Sequence, residues 1–118
     1  MASDIKYRSY KVSVDFLKWV RKEKFEIDDK WLIRQVSRSI ASIGANLVEA
    51  QNSSSQKEFL RYNEISLKSA NETKYWLCLM RDGFEINSEQ LKYYIKETDE
   101  ISKIIAKGII SLKQKTQQ

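Results

Sequence analysis

The stretch from Leu32 to Tyr62 predicts two α-helices joined by a short turn, and it constrains the fold more than any other feature. Apolar residues recur in its first part at steps of three and four, which places them on one side of a helix. These residues are Leu32, Val36, Ile40, Ile43, Leu47 and Ala50. The Ser-rich run 52–55 interrupts the pattern, and a second helical pattern follows it. A helical hairpin is therefore expected at the centre of the fold.

Turn-forming residues are scarce along the whole chain. Proline is absent, and glycine occurs only at positions 44, 83 and 108 of the 118 residues. Sandwiches and barrels need turn residues at short intervals, so this depletion argues against both and favours long helices. The chain has the length of about one domain. We predict a single all-α domain over residues 1–118, built as an antiparallel up-and-down four-helix bundle.

The helix ends can be placed from capping signals. The predicted helices cover about residues 5–23, 29–51, 55–82 and 88–115. The carboxylate of Asp28 or Asp29 is expected to cap the second helix. Ser55 and Glu58 fit the reciprocal capping box that starts the third. Gly83 is expected to end the third helix in the left-handed conformation.

The first and fourth helices each carry an apolar face. On the first helix the predicted core face is formed by Tyr10, Val14, Leu17 and Val20, and it is widened by Val12, Phe16 and Trp19. So wide an arc indicates burial on two sides, against the bundle and against a neighbouring subunit. The fourth helix shows a heptad seam of the kind that antiparallel bundles use. Its members are Leu91, Tyr94, Thr98, Ile101, Ile105, Gly108 and Leu112.

Small and polar residues border the core of the hairpin. Ser39, Ser42 and Ile43 are expected to meet a matching group on the third helix, namely Ser66, Ser69 and Thr73. Four polar side chains flank this contact: Gln35, Asn46, Glu49 and Glu72. They are interpreted as a hydrogen-bonded network that fixes helix register, because buried polar groups must find partners. The alternative is a polar cavity or ligand site shared by the same four residues.

The absence of histidine excludes most enzyme signatures. No Ser-His or Cys-His pair, His-based zinc site or Glu-x-x-His di-iron site can form. Three scattered glycines cannot form a phosphate-binding loop. Cys78 lies among apolar residues and is expected to behave as a small hydrophobe. We expect no catalysis, metal or cofactor, and a carboxylate-based metal site or enzyme at Glu49 and Glu72 is the least favoured alternative.

Cysteine usage and hydropathy bear on the compartment. A lone cysteine allows no intrachain disulfide, and the sequence shows neither a secretory leader pattern nor a run of 18 apolar residues. These features favour the cytoplasm and argue against a membrane partner.

Two sets of basic residues are candidates for nucleic-acid contact. The formal net charge is +5. One set follows the fourth helix and consists of Lys92, Lys96, Lys103 and Lys107. The other consists of Arg34 and Arg38 on the second helix with Lys57 and Arg61 on the third. Either set could contact the phosphates of RNA or DNA, although neither is interleaved with aromatic residues as a base-stacking surface would be. A solvated helix face is the simpler interpretation.

The sequence also holds more large apolar residues than the predicted core can bury. Those outside the core arcs are Trp19, Trp31, Ile33, Leu60, Leu67, Tyr75, Leu79 and Tyr93. Contiguous exposed apolar area usually marks a protein interface. We therefore expect a homo-oligomer.

A family resemblance accompanies these features. The pattern that carries it comprises Leu32, Gln35, Arg38, Ser39, Ile40, Asn46, Glu49, Ala50, the Ser-rich turn, Glu58, Phe59, Tyr62, Ser69, Glu72 and Gly83. It resembles the bacterial four-helix-bundle proteins encoded in intervening sequences of 23S rRNA genes. The resemblance implies an up-and-down bundle assembled as a ring, with a pentamer as the best-known form, and it implies no reaction.

Two functional hypotheses follow. The leading one is a non-catalytic homo-oligomeric scaffold of unknown biochemical role. The alternative is a nucleic-acid- or ribonucleoprotein-associated protein that acts through its basic helix faces.

Overall fold

The structure is a computed structural model that describes the backbone of residues 2–116 and the side chains of residues 5–115. The described residues form four α-helices, which are α1 (Ala2–Lys22), α2 (Lys30–Gln51), α3 (Gln56–Gly83) and α4 (Glu89–Thr116). Each helix packs against its neighbours in the order α1, α2, α3, α4, and α4 returns to α1. The result is an antiparallel up-and-down bundle of 52 × 22 × 21 Å, which confirms the predicted fold class. The predicted domain also includes residues 1, 117 and 118, which lie outside the described part.

Two serine side chains start the last two helices. The hydroxyl of Ser55 accepts a hydrogen bond from the backbone N–H of Glu58 at 3.1 Å, as a helix N-cap does. Ser88 accepts in the same way from the backbone N–H of Gln90 at 3.1 Å, directly before α4. None of the described helices combines the length and the apolar character needed to span a bilayer.

Two predicted helix ends are wrong. Asp29 precedes α2, but its side chain makes no cap hydrogen bond. A 3-10 turn over Ile27–Asp29 holds Asp29 in a helical conformation, whereas a capping residue is typically extended. At the end of α3, Gly83 is still helical and does not have a positive φ. The left-handed residue is Glu85, with φ of 54°, so the chain reverses two residues later than predicted.

The core face of α1 also differs from the prediction. Tyr10 is 66% exposed and Leu17 is 46% exposed, whereas the arc expected only to widen the core is buried. The buried residues are Ile5, Ser9, Val12, Phe16 and Trp19. An aromatic cluster explains the rotation, because the rings of Phe16 and Trp19 each lie 5.6 Å from that of Tyr94 on α4. Packing the largest rings inward removes more apolar area from water than burial of the Tyr10 arc would.

Tyr94 fixes α4 against α1 through its polar end as well. Its hydroxyl donates a hydrogen bond to the backbone carbonyl of Asp15 at 3.0 Å. Burial raises the pKa of Tyr94 to about 12, so the hydroxyl keeps its proton and remains a donor at neutral pH.

The predicted apolar seam of α2 is buried throughout. The seam of α4 is buried from Leu91 to Ile105, but beyond that point Ile109 is buried and Gly108 is exposed. A straight helix has 3.6 residues per turn, so it drifts by about 20° per heptad from a strict 3.5-residue repeat. That drift moves the end of the seam by one residue.

Candidate interaction surfaces

The centre of the α2–α3 interface is a set of short polar contacts between small side chains. The hydroxyl oxygens of Ser42 and Ser69 lie 2.9 Å apart, and those of Ser39 and Thr73 also lie 2.9 Å apart. Ser66 donates its hydroxyl proton to the backbone carbonyl of Ile43 at 2.8 Å. These contacts join the two groups of residues that the sequence expected to meet, and they hold the two helices in one register.

Asn46 belongs to this polar set, but the other flanking residues do not. Its amide donates to the carbonyl of Ser42 at 2.8 Å and lies 2.9 Å from the Ser42 hydroxyl. Gln35 is half-buried and makes no described side-chain hydrogen bond. Glu49 and Glu72 are both exposed, and Glu72 accepts a hydrogen bond from the indole N–H of Trp76 on its own helix at 3.1 Å. The predicted four-residue network is therefore wrong in three of its members.

The helix register also separates the two carboxylates. Ser42 faces Ser69, so Glu49 lies level with Tyr62 on the antiparallel helix. Tyr62 and Glu72 are about 15 Å apart along the axis at 1.5 Å per residue. Glu49 and Glu72 therefore do not converge on a shared ligand site. Among the described residues there is also no group of three or more Asp, Glu, Cys or His side chains that could hold a metal ion.

The basic set on α4 is partly neutralised. Lys103 pairs with Asp99 at 2.9 Å, and Lys92 pairs with Glu89 at 3.3 Å. Asp99 also accepts a hydrogen bond from Lys74 on α3 at 3.1 Å. The hydrogen bonds from Lys103 and Lys74 lower the pKa of Asp99, so this carboxylate stays charged between the two ammonium groups. Within this set, Lys96 and Lys107 are the two lysines that form none of the described ion pairs, and both are exposed.

The basic set on α2 and α3 is free of such pairing. Arg34, Arg38, Lys57 and Arg61 are all exposed, and none forms an ion pair among the described residues. The register places Arg38 level with Thr73, which is about 18 Å from Arg61 along the axis at 1.5 Å per residue. The four charges therefore form two separate pairs along the hairpin.

The predicted apolar surplus divides into two groups. Trp19 is buried, and Ile33, Leu60 and Leu67 pack against the core. Half of the set is therefore part of the monomer's own packing. The other four remain exposed: Trp31 at 49%, Tyr75 at 63%, Leu79 at 37% and Tyr93 at 39%. Trp76 contacts both Trp31 and Tyr75, with ring centroids 6.4 and 5.2 Å apart. Trp31, Tyr75, Trp76 and Leu79 are called the aromatic patch below.

A second apolar surface follows from the rotation of α1. An open groove of about 540 Å³ runs between α1 and α2. Its sides carry the exposed residues Tyr7, Tyr10, Leu17 and Val48, and Ala41, Gly44 and Ala45 also line it. The sequence assigned Tyr10 and Leu17 to the monomer core, so it missed this surface. The width of the apolar arc on α1 was the signal for it.

The α1–α4 interface holds an ion-pair cluster that the sequence also missed. The guanidinium of Arg8 pairs with Glu97 at 2.5 Å and with Glu100 at 2.8 Å. Hydrogen bonding to Glu97 is the main cause that raises the pKa of Arg8. The pairing joins residues separated by about ninety positions, so no local sequence pattern could reveal it.

The fold and these surfaces define a four-helix-bundle protein with two exposed apolar faces. The sequence matches the family described as the 23S rRNA-intervening sequence protein over residues 2–107. The chain therefore belongs to that family, as its sequence pattern predicted. No curated protein gave a match.

A solved structure supports the same family. It is described as a protein with unknown function from the S23 ribosomal protein family of Bacteroides thetaiotaomicron. The two proteins are 31% identical and superpose with a TM-score of 0.80, which covers 92% of this chain and 96% of the other.

Proposed function

We propose that this protein is a non-catalytic scaffold that works by assembling with copies of itself. The observation that carries the proposal is the groove between α1 and α2, where four large apolar side chains are exposed to solvent. An apolar surface of this extent usually marks an interface. The lone cysteine is compatible with action in the cytoplasm, where disulfides are rare.

The presence of two different apolar faces favours a ring over a two-fold dimer. A two-fold dimer joins one patch to itself, whereas a cyclic assembly joins two different patches head to tail. The groove lies between α1 and α2, and the aromatic patch lies at the start of α2 and the end of α3. In the proposed ring, the groove of one subunit receives the aromatic patch of the next. A pentamer is the form that the family resemblance implies.

Native mass measurement of groove variants tests this assembly. Tyr10→Glu and Leu17→Lys each place a charge in the groove, and both residues are exposed, so the monomer fold should persist. We expect each variant to lower the native mass to that of the monomer. Ile110→Lys is the matched control, because Ile110 is 57% exposed and belongs to neither face. A monomeric wild-type protein, or variants that retain the wild-type mass, would contradict the proposal.

Nucleic-acid binding is the second candidate function. It is favoured by the four basic residues on α2 and α3 that form no ion pair in the described part of the chain, because such cations can neutralise phosphates. Their repetition around a ring would enlarge the positive field. This set is a better candidate than the α4 set, in which Lys92 and Lys103 are already paired.

Salt-dependent binding to unrelated RNA and DNA duplexes tests this second function. Replacement of Arg34, Arg38, Lys57 and Arg61 by Gln should weaken binding to every sequence. It should also reduce the slope of log K against log salt by up to about 3.6 on DNA, since each phosphate contact contributes roughly 0.9. The matched control replaces Lys92, Lys96, Lys103 and Lys107 by Gln and should have the smaller effect. Absence of binding by the wild type at about 50 mM salt would exclude this function.

A further inference from the structure

A second cavity lies at one end of the bundle and shares only Lys6 with the groove between α1 and α2. It has a volume of about 520 Å³ and lies where α1 begins, α2 ends, α3 begins and α4 ends. Known small-molecule sites have volumes of roughly 300–1,000 Å³ and mainly apolar walls. The apolar wall is formed by Ile5, Leu47, Ala50, Phe59, Ile105 and Leu112. Its size and lining are therefore those of a ligand site.

The described charged side chains of the cavity are both basic. Lys6 and Lys107 line it, together with the polar residues Gln51, Asn63 and Ser111, and no carboxylate is among the described lining residues. The ammonium group of Lys6 donates a hydrogen bond to the side-chain carbonyl of Gln51, which holds it at the cavity wall. Neither lysine forms an ion pair in the described part of the chain. Elsewhere Lys11, Lys74 and Lys103 each pair with an aspartate.

Gly108, which is exposed, leaves part of the wall without a side chain. A Cβ atom added to Gly108 would meet no heavy atom within 4 Å. The part of the apolar wall that still contacts water would be covered if an aliphatic chain entered. An ammonium group at the edge favours an anionic head group on the same molecule.

We propose that this cavity binds an amphipathic anion, in which an aliphatic chain lies against the apolar wall and the anionic head group contacts Lys6 and Lys107. A free fatty carboxylate and an anionic lipid share this chemistry. The assignment does not depend on the proposed scaffold function, since the site lies within one subunit.

Calorimetric titration of the full chain with dodecanoate, below its micelle concentration, tests the site. We expect one dodecanoate per chain. Dodecyltrimethylammonium has the same chain with the opposite charge, and butanoate has the same head group with a short chain. Both should bind at least tenfold more weakly than dodecanoate. Equal binding of the two long-chain molecules, or binding of neither, would overturn the proposal.

Variants at Gly108 locate the binding. Gly108→Phe fills the cavity and should abolish dodecanoate binding, and Gly108→Leu serves the same purpose if the larger side chain prevents folding. Gly108→Ala is the matched control, because it also replaces glycine in the helix but leaves the cavity largely empty. It should bind dodecanoate within about twofold of the wild type. Unchanged binding by the filled variants would overturn the site.

The lysines are tested by Lys6→Gln combined with Lys107→Gln. The double variant should lose at least tenfold in dodecanoate affinity and should no longer prefer dodecanoate to dodecyltrimethylammonium. Vesicles of anionic phospholipid distinguish the lipid source, because they would compete with dodecanoate only if lipid enters the cavity. Vesicle binding that Gly108→Phe does not affect, without dodecanoate binding, would reveal surface attraction and overturn the proposal. Native mass measured on the same variants separates this result from a failure of assembly.

Discussion

The hydroxyl oxygens of Thr73 and Ser39 lie 2.9 Å apart across the α2–α3 interface, and both side chains are buried. Each hydroxyl also contacts a carbonyl of its own helix, so the contact between them is the one that depends on the relative translation of the two helices. Thr98 on α4 is buried to the same extent as Thr73 but differs in one respect. Its hydroxyl oxygen has no hydrogen-bond partner among the described residues.

This difference predicts opposite effects of the same substitution. Thr73→Val removes the contacts to Ser39 and to the Ser69 carbonyl and should lower the free energy of unfolding by about 0.5–1.5 kcal/mol. Thr98→Val removes an unsatisfied hydroxyl and should raise the free energy of unfolding by up to about 3 kcal/mol. Denaturant unfolding of both variants measures the two values. A loss of stability in Thr98→Val would indicate an undescribed partner for that hydroxyl.

The turn between α2 and α3 makes a second prediction. Ser55→Ala removes the acceptor for the Glu58 amide and should cost about 0.5–2 kcal/mol of unfolding free energy. Ser54→Ala is the control, since Ser54 is exposed in the same turn and caps no helix. Equal effects of the two changes would mean that α3 does not begin at Ser55.

The end of α3 makes a third prediction, which reverses the expectation from sequence. Gly83 is helical, and an added Cβ would meet no atom within 4 Å, so Gly83→Ala should stabilise the protein by about 0.5–1 kcal/mol. Glu85→Gly should also stabilise it, because Glu85 has a positive φ that glycine adopts without strain. Thermal unfolding checks both. If Gly83→Ala instead destabilised the protein, the result would support the left-handed conformation of Gly83 that the sequence predicted.

Asp99 makes a prediction about pH. Hydrogen bonds from Lys103 and Lys74 lower its pKa in the folded state, so its stabilising contribution is present above the pKa of the unfolded chain, about 3.9. The contribution is lost as pH falls through the lowered folded value. Asp99→Asn should therefore reduce stability at pH 7, and its difference from the wild type should shrink below about pH 4. Asp28→Asn, at an exposed carboxylate outside the described ion pairs, is the matched control and should have the smaller effect on stability at pH 7.

The sequence by itself determined the number of helices, their order and the contacts of the hairpin. The seam of α2 and the small residues that meet at Ser42 and Ser69 were readable because both depend on local periodicity within one helix. The cap at Ser55 was readable for the same reason, since its partner is three residues away. Family membership followed from the same local pattern and is confirmed by the match over residues 2–107.

Only the tertiary structure decided which face of α1 is buried. The sequence offered two overlapping apolar arcs, and the position of Tyr94, about eighty residues away, selected the one with Phe16 and Trp19. That choice left Tyr10 and Leu17 outside and created the groove. The cavity likewise requires the ends of all four helices to meet around Gly108. Such surfaces arise from packing between segments that are distant in the sequence. The periodicity within one helix does not predict that packing.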